Sequence, residues 1–191
     1  MILISNPDKS QWQEILKRPV MNTENLFDTV RSVIDRVKEE GDRAVLDYEE
    51  KFDKVVLASL AVSEEEQQEV ENLVSEDLKA AIRLAKQNIE TFHAAQRFEG
   101  KKVQTQPGVT CWQKAVAIEK VGLYIPGGTA PLFSTVLMLA VPARIAGCKE
   151  IVLCTPPGRD GKVNPSTLVA AKEAGADKIY KVGGAQAIAA L

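Results

Sequence analysis

The sequence has a single histidine, His93, and only three cysteines, Cys111, Cys148 and Cys154. No second histidine is present to build a histidine-based metal site, and no two cysteines have C-x-x-C spacing, so we predict no zinc site. Sparse cysteines favour a reducing compartment, and we expect a cytoplasmic protein. No run approaches the roughly 20 apolar residues of a membrane span. The first residues lack the basic and apolar regions of a secretory signal.

The net charge is also small, because 24 basic residues nearly balance 26 acidic ones. This balance gives no indication of nucleic-acid binding. The halves differ: residues 1–100 carry 13 basic and 21 acidic side chains, and residues 101–191 carry 11 and 5. Only two of the 12 glycines lie in the first half. The shift predicts a domain boundary between about residues 100 and 120. We expect an N-terminal helical arm over 1–20, a mainly helical region over 21–114 and a second domain starting at 115.

The first half has the patterns of helices. Asn6 and Pro7 predict a short helix start, and an apolar stripe from Leu26 to Val37 predicts a longer helix that ends at Gly41. Ser63 begins a capping box. Ser75 is expected to cap a long helix that carries His93 beside its apolar face. A histidine in such a place is more often packed and hydrogen-bonded than catalytic.

The second half alternates strands with helices, which predicts βαβ units and a parallel sheet. The strands are expected within residues 115–125, at 150–155 and at 178–182. The helices are expected at 130–146, from Asn164–Pro165 to Gly175, and from 185 onward. The last helix stops in an apolar run at Leu191, and parallel sheets need both faces covered. We therefore expect the chain to be the N-terminal part of a longer protein.

Two glycine pairs, Gly127–Gly128 and Gly183–Gly184, each follow a predicted strand and precede a helix. Ligands of open α/β sheets bind at this edge, where glycine lets a ligand approach the backbone. Tyr124 offers a ring and a hydroxyl beside the first pair, and Gln186 offers an amide beside the second. Tight turns would need the same glycines, and both interpretations remain open. Neither segment is the Gly-x-Gly-x-x-Gly dinucleotide fingerprint.

Long strings of this sequence strongly resemble the histidinol dehydrogenase family. They are YIPGG at 124–128, PLFSTVLM at 131–138, PARIAGC at 142–148 and VGGAQAIAAL at 182–191. Shorter matches are KFD at 51–53, NIETFH at 88–93 and TQPGV at 105–109. The resemblance runs from about residue 18 to the last residue, so it is far more specific than any short motif.

The resemblance implies an enzyme that oxidises L-histidinol through L-histidinal to L-histidine with NAD⁺, and that is a zinc-dependent homodimer. It implies an α/β fold with an incomplete Rossmann-like parallel sheet (β-α-β-α-β-α) after a mainly helical N-terminal region. Tyr124 and Gln186 resemble the family's NAD-contacting residues. Phe52 is a weaker candidate for the cofactor pocket, which Pro126, Gly127 and Gly128 would shape.

The resemblance also implies what this stretch leaves out. The family's zinc ligands and its acid–base Glu-His pair lie C-terminal to the stretch that this sequence matches. We therefore assign no catalytic and no metal-binding residue, and we expect the chain to be inactive alone. The alternative is a non-catalytic module for nucleotide binding or assembly.

Overall fold

The computed structural model describes residues 3–18, 23–127 and 130–191. Helices dominate up to residue 100. They are α1 (Trp12–Ile15, after a 3-10 turn at Lys9–Gln11), α2 (Glu24–Glu40), α3 (Asp42–Tyr48), α4 (Glu64–Glu69) and α5 (Glu76–Ala94). A π-helical turn, Glu49–Asp53, follows α3, and a 3-10 turn, Val70–Asn72, follows α4.

The rest of the chain contains all of the described strands. β1 (Lys102–Gln106) and β2 (Val109–Trp112) form an antiparallel hairpin. Then follow β3 (Lys120–Tyr124), α6 (Phe133–Ala146), β4 (Glu150–Thr155), α7 (Pro165–Ala174), β5 (Lys178–Lys181) and α8 (Gly184–Ala190). β3, β4 and β5 pair in parallel in the order β3-β4-β5, so the predicted βαβ sheet is confirmed.

Helices cover both faces of this sheet because β4 alternates its apolar side chains between them. Ile151 and Leu153 belong to a core that α5, α6 and α7 share with the sheet. Cys154 belongs to a second core, with α2, α3 and α8. The outer edge of β5 is covered by residues 60–62, since the N–H of Lys181 donates to Leu60 O at 2.7 Å. The α/β fold with a parallel sheet, expected from the sequence, is thus observed.

Most predicted helix ends are confirmed, and their geometry gives the reason. Ser63 accepts the N–H of Glu66, while Glu66 accepts the N–H of Ser63, which completes the capping box. Ser75 accepts the N–H of Leu78, and Asn164 accepts the N–H of Ser166. The predicted terminal glycines lie after α2, α6 and α7, each with positive φ: Gly41, Gly147 and Gly175.

Three local expectations were wrong, and one element was missed. The first short helix is capped by Asp8 and not Asn6, because Asp8 forms the capping box with Gln11. Residues 115–119 are not a strand, since the parallel pairing to β4 begins at Lys120. The hairpin of β1 and β2 was not predicted. The first βαβ helix begins at Phe133 and not at Ala130, with Leu132 as its N-cap residue.

Within the described ranges, no helix is long and apolar enough to cross a membrane.

Candidate functional site

A cleft of about 760 Å³ opens at the carboxyl ends of the parallel strands. The size lies within the range of small-molecule and cofactor sites. Its walls come from segments after β3 and β4, from the start of α7, and from α4 with its 3-10 turn. The lining includes Tyr124, Pro126 and Gly127 after β3, Thr155, Pro156 and Pro157 after β4, Asn164 and Pro165 at α7, Gly184 at α8, and Asp53.

Three of the predicted cofactor residues lie together in this wall: Tyr124, Pro126 and Gly127. Tyr124 ends β3 and is half-buried. Its hydroxyl accepts the N–H of Gly184 at 3.2 Å, which joins the end of β3 to the start of α8. The structure therefore brings the first predicted ligand segment next to the second. Gly128, predicted for the same wall, lies outside the described residues.

The glycines at these turns are required by close packing on Pro156. A Cβ on Gly127 would lie 2.4 Å from Pro156 Cγ, and a Cβ on Gly183 would lie 2.7 Å from Pro156 Cβ. Gly184 has a φ of +58°, which disfavours other residues. The tight-turn interpretation thus has direct contacts in support of it. Ligand binding is supported by the cleft itself and not by the glycines.

Gln186 and Phe52 are placed differently from the other candidates. Gln186 is 1% exposed, and its Nε2 donates to Glu49 Oε1 at 2.9 Å. Phe52 is 47% exposed and stacks on Tyr48 with ring centroids 5.3 Å apart. Neither is among the described residues that line the cleft, although Asp53, next to Phe52, is. Their contact with a cofactor stays a prediction.

Glu49 was not singled out from the sequence, yet the structure buries it completely. Its Oε1 also accepts the N–H of Gly183 at 3.1 Å. Burial raises the pKa of this carboxyl above its ordinary range, with a further contribution from Asp53, while the bonds from Gln186 and Gly183 act the other way.

Burial, with a smaller effect of Glu49, also raises the pKa of the Cys154 thiol to about 11. Cys154 is thus an inert packed thiol.

Carboxyl groups outnumber ammonium groups in the cleft. Asp53, Glu66, Glu69 and Asp160 line it, with Lys162. Lys162 Nζ lies 2.8 Å from Glu69 Oε2, and this bond raises the pKa of the lysine. The buried Lys181 pairs with Glu66 at 3.1 Å. The two acidic residues of α4 that line the cleft, Glu66 and Glu69, are thus paired with lysines. An anionic ligand would therefore depend on backbone and neutral groups for its contacts.

The residues present do not fit a zinc site. In the described part of the chain, no group of three or more His, Cys, Asp or Glu side chains could hold a metal ion. Cys148 and Cys154 are buried, and Cys111 is exposed on the hairpin. His93 is half-buried, and its Nδ1 lies 3.0 Å from Gln96 Oε1. We derive no chemistry through a metal from these residues.

A parallel sheet covered on both faces, with a cleft at the carboxyl ends of its strands, defines an α/β protein of the incomplete Rossmann-like class. Comparison with known proteins gives the particular family. The family model "Histidinol dehydrogenase" matches residues 16–191. The chain therefore belongs to the histidinol dehydrogenase family.

Individual relatives agree with this assignment. The chain is 71% identical over all 191 residues to histidinol dehydrogenase of Bacteroides fragilis and 68% identical to that of Bacteroides thetaiotaomicron, and covers 45% of each. The crystal structure of histidinol dehydrogenase from Elizabethkingia anophelis superposes with a TM-score of 0.92 at 48% identity, over 97% of this chain and 43% of that one. The chain spans somewhat less than half the length of these relatives.

Proposed function

We propose that this chain forms part of a histidinol dehydrogenase and supplies a wall of its NAD site. The observation that carries the proposal is the continuous family match over residues 16–191, at up to 71% identity among the relatives named above. The cleft at the carboxyl edge of the sheet supports it, because the predicted Tyr124, Pro126 and Gly127 line that cleft. The proposed reaction is the oxidation of L-histidinol to L-histidine in histidine biosynthesis.

NAD⁺, when bound, accepts the hydride that the oxidation of an alcohol or aldehyde releases. The work of this chain is to bind and orient the cofactor. Tyr124 presents a half-buried ring at the wall of the cleft, and its hydroxyl is held by the N–H of Gly184. Pro126 and Pro156 add rigid apolar surface. A wall that is already fixed lowers the entropic cost of ordering the cofactor.

We propose that zinc and the acid–base pair are supplied by further sequence, that the active protein is a homodimer in the cytoplasm, and that residues 1–191 alone do not turn over histidinol. We also propose that the chain divides into an arm over 1–20, a mainly helical region over 21–114 and the start of a second domain over 115–191. The alternative is a non-catalytic module for nucleotide binding or assembly, which the experiment below distinguishes from the enzyme.

The test is a steady-state assay of the complete product of the reading frame that encodes residues 1–191, with zinc, NAD⁺ and L-histidinol. We expect NADH formation, followed by its absorbance, that requires histidinol and is lost on removal of zinc by a chelator. The 191-residue chain assayed in parallel is expected to give none. Absence of turnover in the complete, zinc-loaded protein, with NAD⁺ binding retained, would contradict the proposal and favour the non-catalytic module.

A further inference from the structure

Glu49 lies where the π-helical turn after α3 meets the turn between β5 and α8. Its side chain is 0% exposed, and Oε1 accepts both the Gly183 N–H at 3.1 Å and the Gln186 amide at 2.9 Å. We propose that Glu49 is a positioning residue of the cofactor site, which fixes the Gly183–Gly184 turn and the side chain of Gln186. This inference rests on the proposed function, because it concerns the same site.

A carboxyl group at this position needs an explanation, since burial of an ionised group without a cation is costly. In the described part of the chain, no lysine or arginine forms an ion pair with Glu49. An apolar residue of similar size would pack there without that cost. What a carboxyl adds is an acceptor that two donors share, one on the backbone and one on Gln186. The bonds connect residues 134 and 137 positions apart, so they fix tertiary geometry and not a local turn.

The surroundings of the second oxygen of Glu49 favour the protonated form of the carboxyl group. Oε2 is buried and has no hydrogen-bond partner among the described residues. The nearby Asp53 carboxyl, four residues on in the same helical turn, interacts with Glu49. Two carboxylates offer only acceptors to each other, whereas a carboxylic acid offers an O–H. A protonated Glu49 still accepts both donors at Oε1 and carries its O–H on Oε2, so the two hydrogen bonds do not require the ionised form.

Asp53 connects this network to the cleft. Its Oδ2 lies 3.2 Å from the point that a Cβ on Gly183 would occupy, and its side chain lines the cleft. Gly184, the next residue, also lines the cleft and donates to Tyr124. Glu49 thus binds the buried side of the Gly183–Gly184 turn, and the other side of that turn lines the cleft. Its loss should weaken cofactor binding and leave the chemical step intact.

The first experiment measures NAD⁺ kinetics in the complete protein with three variants. Glu49→Ala removes the shared acceptor and should raise the KM for NAD⁺ about tenfold, since two buried hydrogen bonds are lost, with kcat little changed. Glu49→Gln keeps an acceptor at Oε1 and a donor in place of the O–H, and should stay near wild type. Glu50→Ala, the exposed neighbour in the same turn, is the matched control.

A wild-type KM in Glu49→Ala would overturn the inference, and so would a Glu49→Gln variant as impaired as Glu49→Ala. If Glu49→Ala does not fold, Glu49→Asp decides the question, because it shortens the side chain by a methylene and should also raise the KM. Absence of turnover in wild type would instead count against the proposed function.

The second experiment follows amide hydrogen exchange in the 191-residue chain and needs no activity. Gly183 N–H is bonded to Glu49, so Glu49→Ala should accelerate exchange in peptides that contain the Gly183–Gly184 turn. Glu49→Gln and Glu50→Ala should preserve wild-type protection there. Peptides from β4, which lies in the buried core, serve as the internal reference for global stability. Unchanged exchange at Gly183 in Glu49→Ala would show that the carboxyl does not hold the turn.

Discussion

Tyr124 is the residue at which the two predicted ligand segments meet, because its hydroxyl accepts the N–H of Gly184. Its ring forms part of the cleft wall, and its hydroxyl fixes the neighbouring turn. The two contributions can be separated by substitution, since phenylalanine keeps the ring and alanine removes both.

We predict that Tyr124→Ala raises the KM for NAD⁺ in the complete protein about tenfold or more, because an aromatic surface worth on the order of 1 kcal/mol or more is lost from the wall. Tyr124→Phe should have a smaller effect, that of one neutral hydrogen bond. Tyr180→Phe on β5, outside the described lining of the cleft, is the matched control. The measurement is steady-state kinetics with varied NAD⁺, and unchanged KM in Tyr124→Ala would contradict the assignment.

The raised pKa of Glu49 makes stability depend on pH. Because the folded state holds the proton more tightly, wild type loses stability as pH rises above about 4.3, where the unfolded glutamic acid ionises. Glu49→Gln cannot ionise and lacks this loss. We predict that the variant gains stability relative to wild type between pH 4.5 and 7.5, as measured by urea denaturation of the 191-residue chain. A difference that is constant with pH would contradict a raised pKa.

The sequence predicted the cleft residues at the end of a strand, but it did not indicate the buried Glu49. Tyr124 and Gly127 stand at a strand–glycine–helix boundary, which is a local signal. Glu49 lies four residues after the buried Val45, so its helical phase points to the interior. Its acidic neighbours make it look like part of a solvated face. Its partners lie more than 130 residues away along the chain, beyond any periodicity argument.

At the scale of elements, Arg144 joins the ends of two helices to the sheet. It lies in the last turn of α6, and its guanidinium donates to the carbonyls of Gly175, Cys148 and Lys149. It also pairs with Asp177 at 2.5 Å. Asp177 in turn accepts the N–H of Ile151 in β4. One side chain therefore satisfies carbonyl groups in the segments that follow α6 and α7.

We predict that Arg144→Ala lowers the free energy of unfolding by about 2 kcal/mol, because several charge-assisted hydrogen bonds are lost at a partly exposed site. Arg144→Lys should recover only part of this, since an ammonium lacks the planar fork. Arg159→Ala, an exposed arginine in the loop after β4, is the control and should be neutral. Denaturant unfolding of the chain measures all three, and equal midpoints for Arg144→Ala and wild type would contradict this role.

Elements with their own local signals were predictable, and elements defined by a partner were not. Strand β4 is a continuous apolar run, and helix α7 has Asn164 as its N-cap and Gly175 after its end. Both were predicted at their observed positions. Both strands of the β1–β2 hairpin are exposed throughout, so no alternation of apolar and polar residues marks them. Residues 115–119 are rich in β-branched and apolar side chains, yet the β4 pairing starts only at Lys120. A strand needs a partner as well as a propensity.

At the scale of the whole molecule, the acidic helical half and the basic α/β half share one core. Val70, Val74 and Ile82 from the first half pack in the same cluster as Val136 and Leu168 from the second. The change in composition near residue 114 falls in the segment after the exposed hairpin. The domain division at that residue stays a prediction, since composition reports on surface charge and not on which side chains share a core.

We propose above all that the cleft at the carboxyl edge of the sheet binds NAD⁺. The most direct measurement is a crystal structure of the complete protein with NAD⁺. We predict that the cofactor lies in the cleft, against Tyr124, Pro126 and Gly127, with the Glu49–Gly183 hydrogen bond retained. A cofactor ordered elsewhere on the protein, with this cleft empty, would contradict the account.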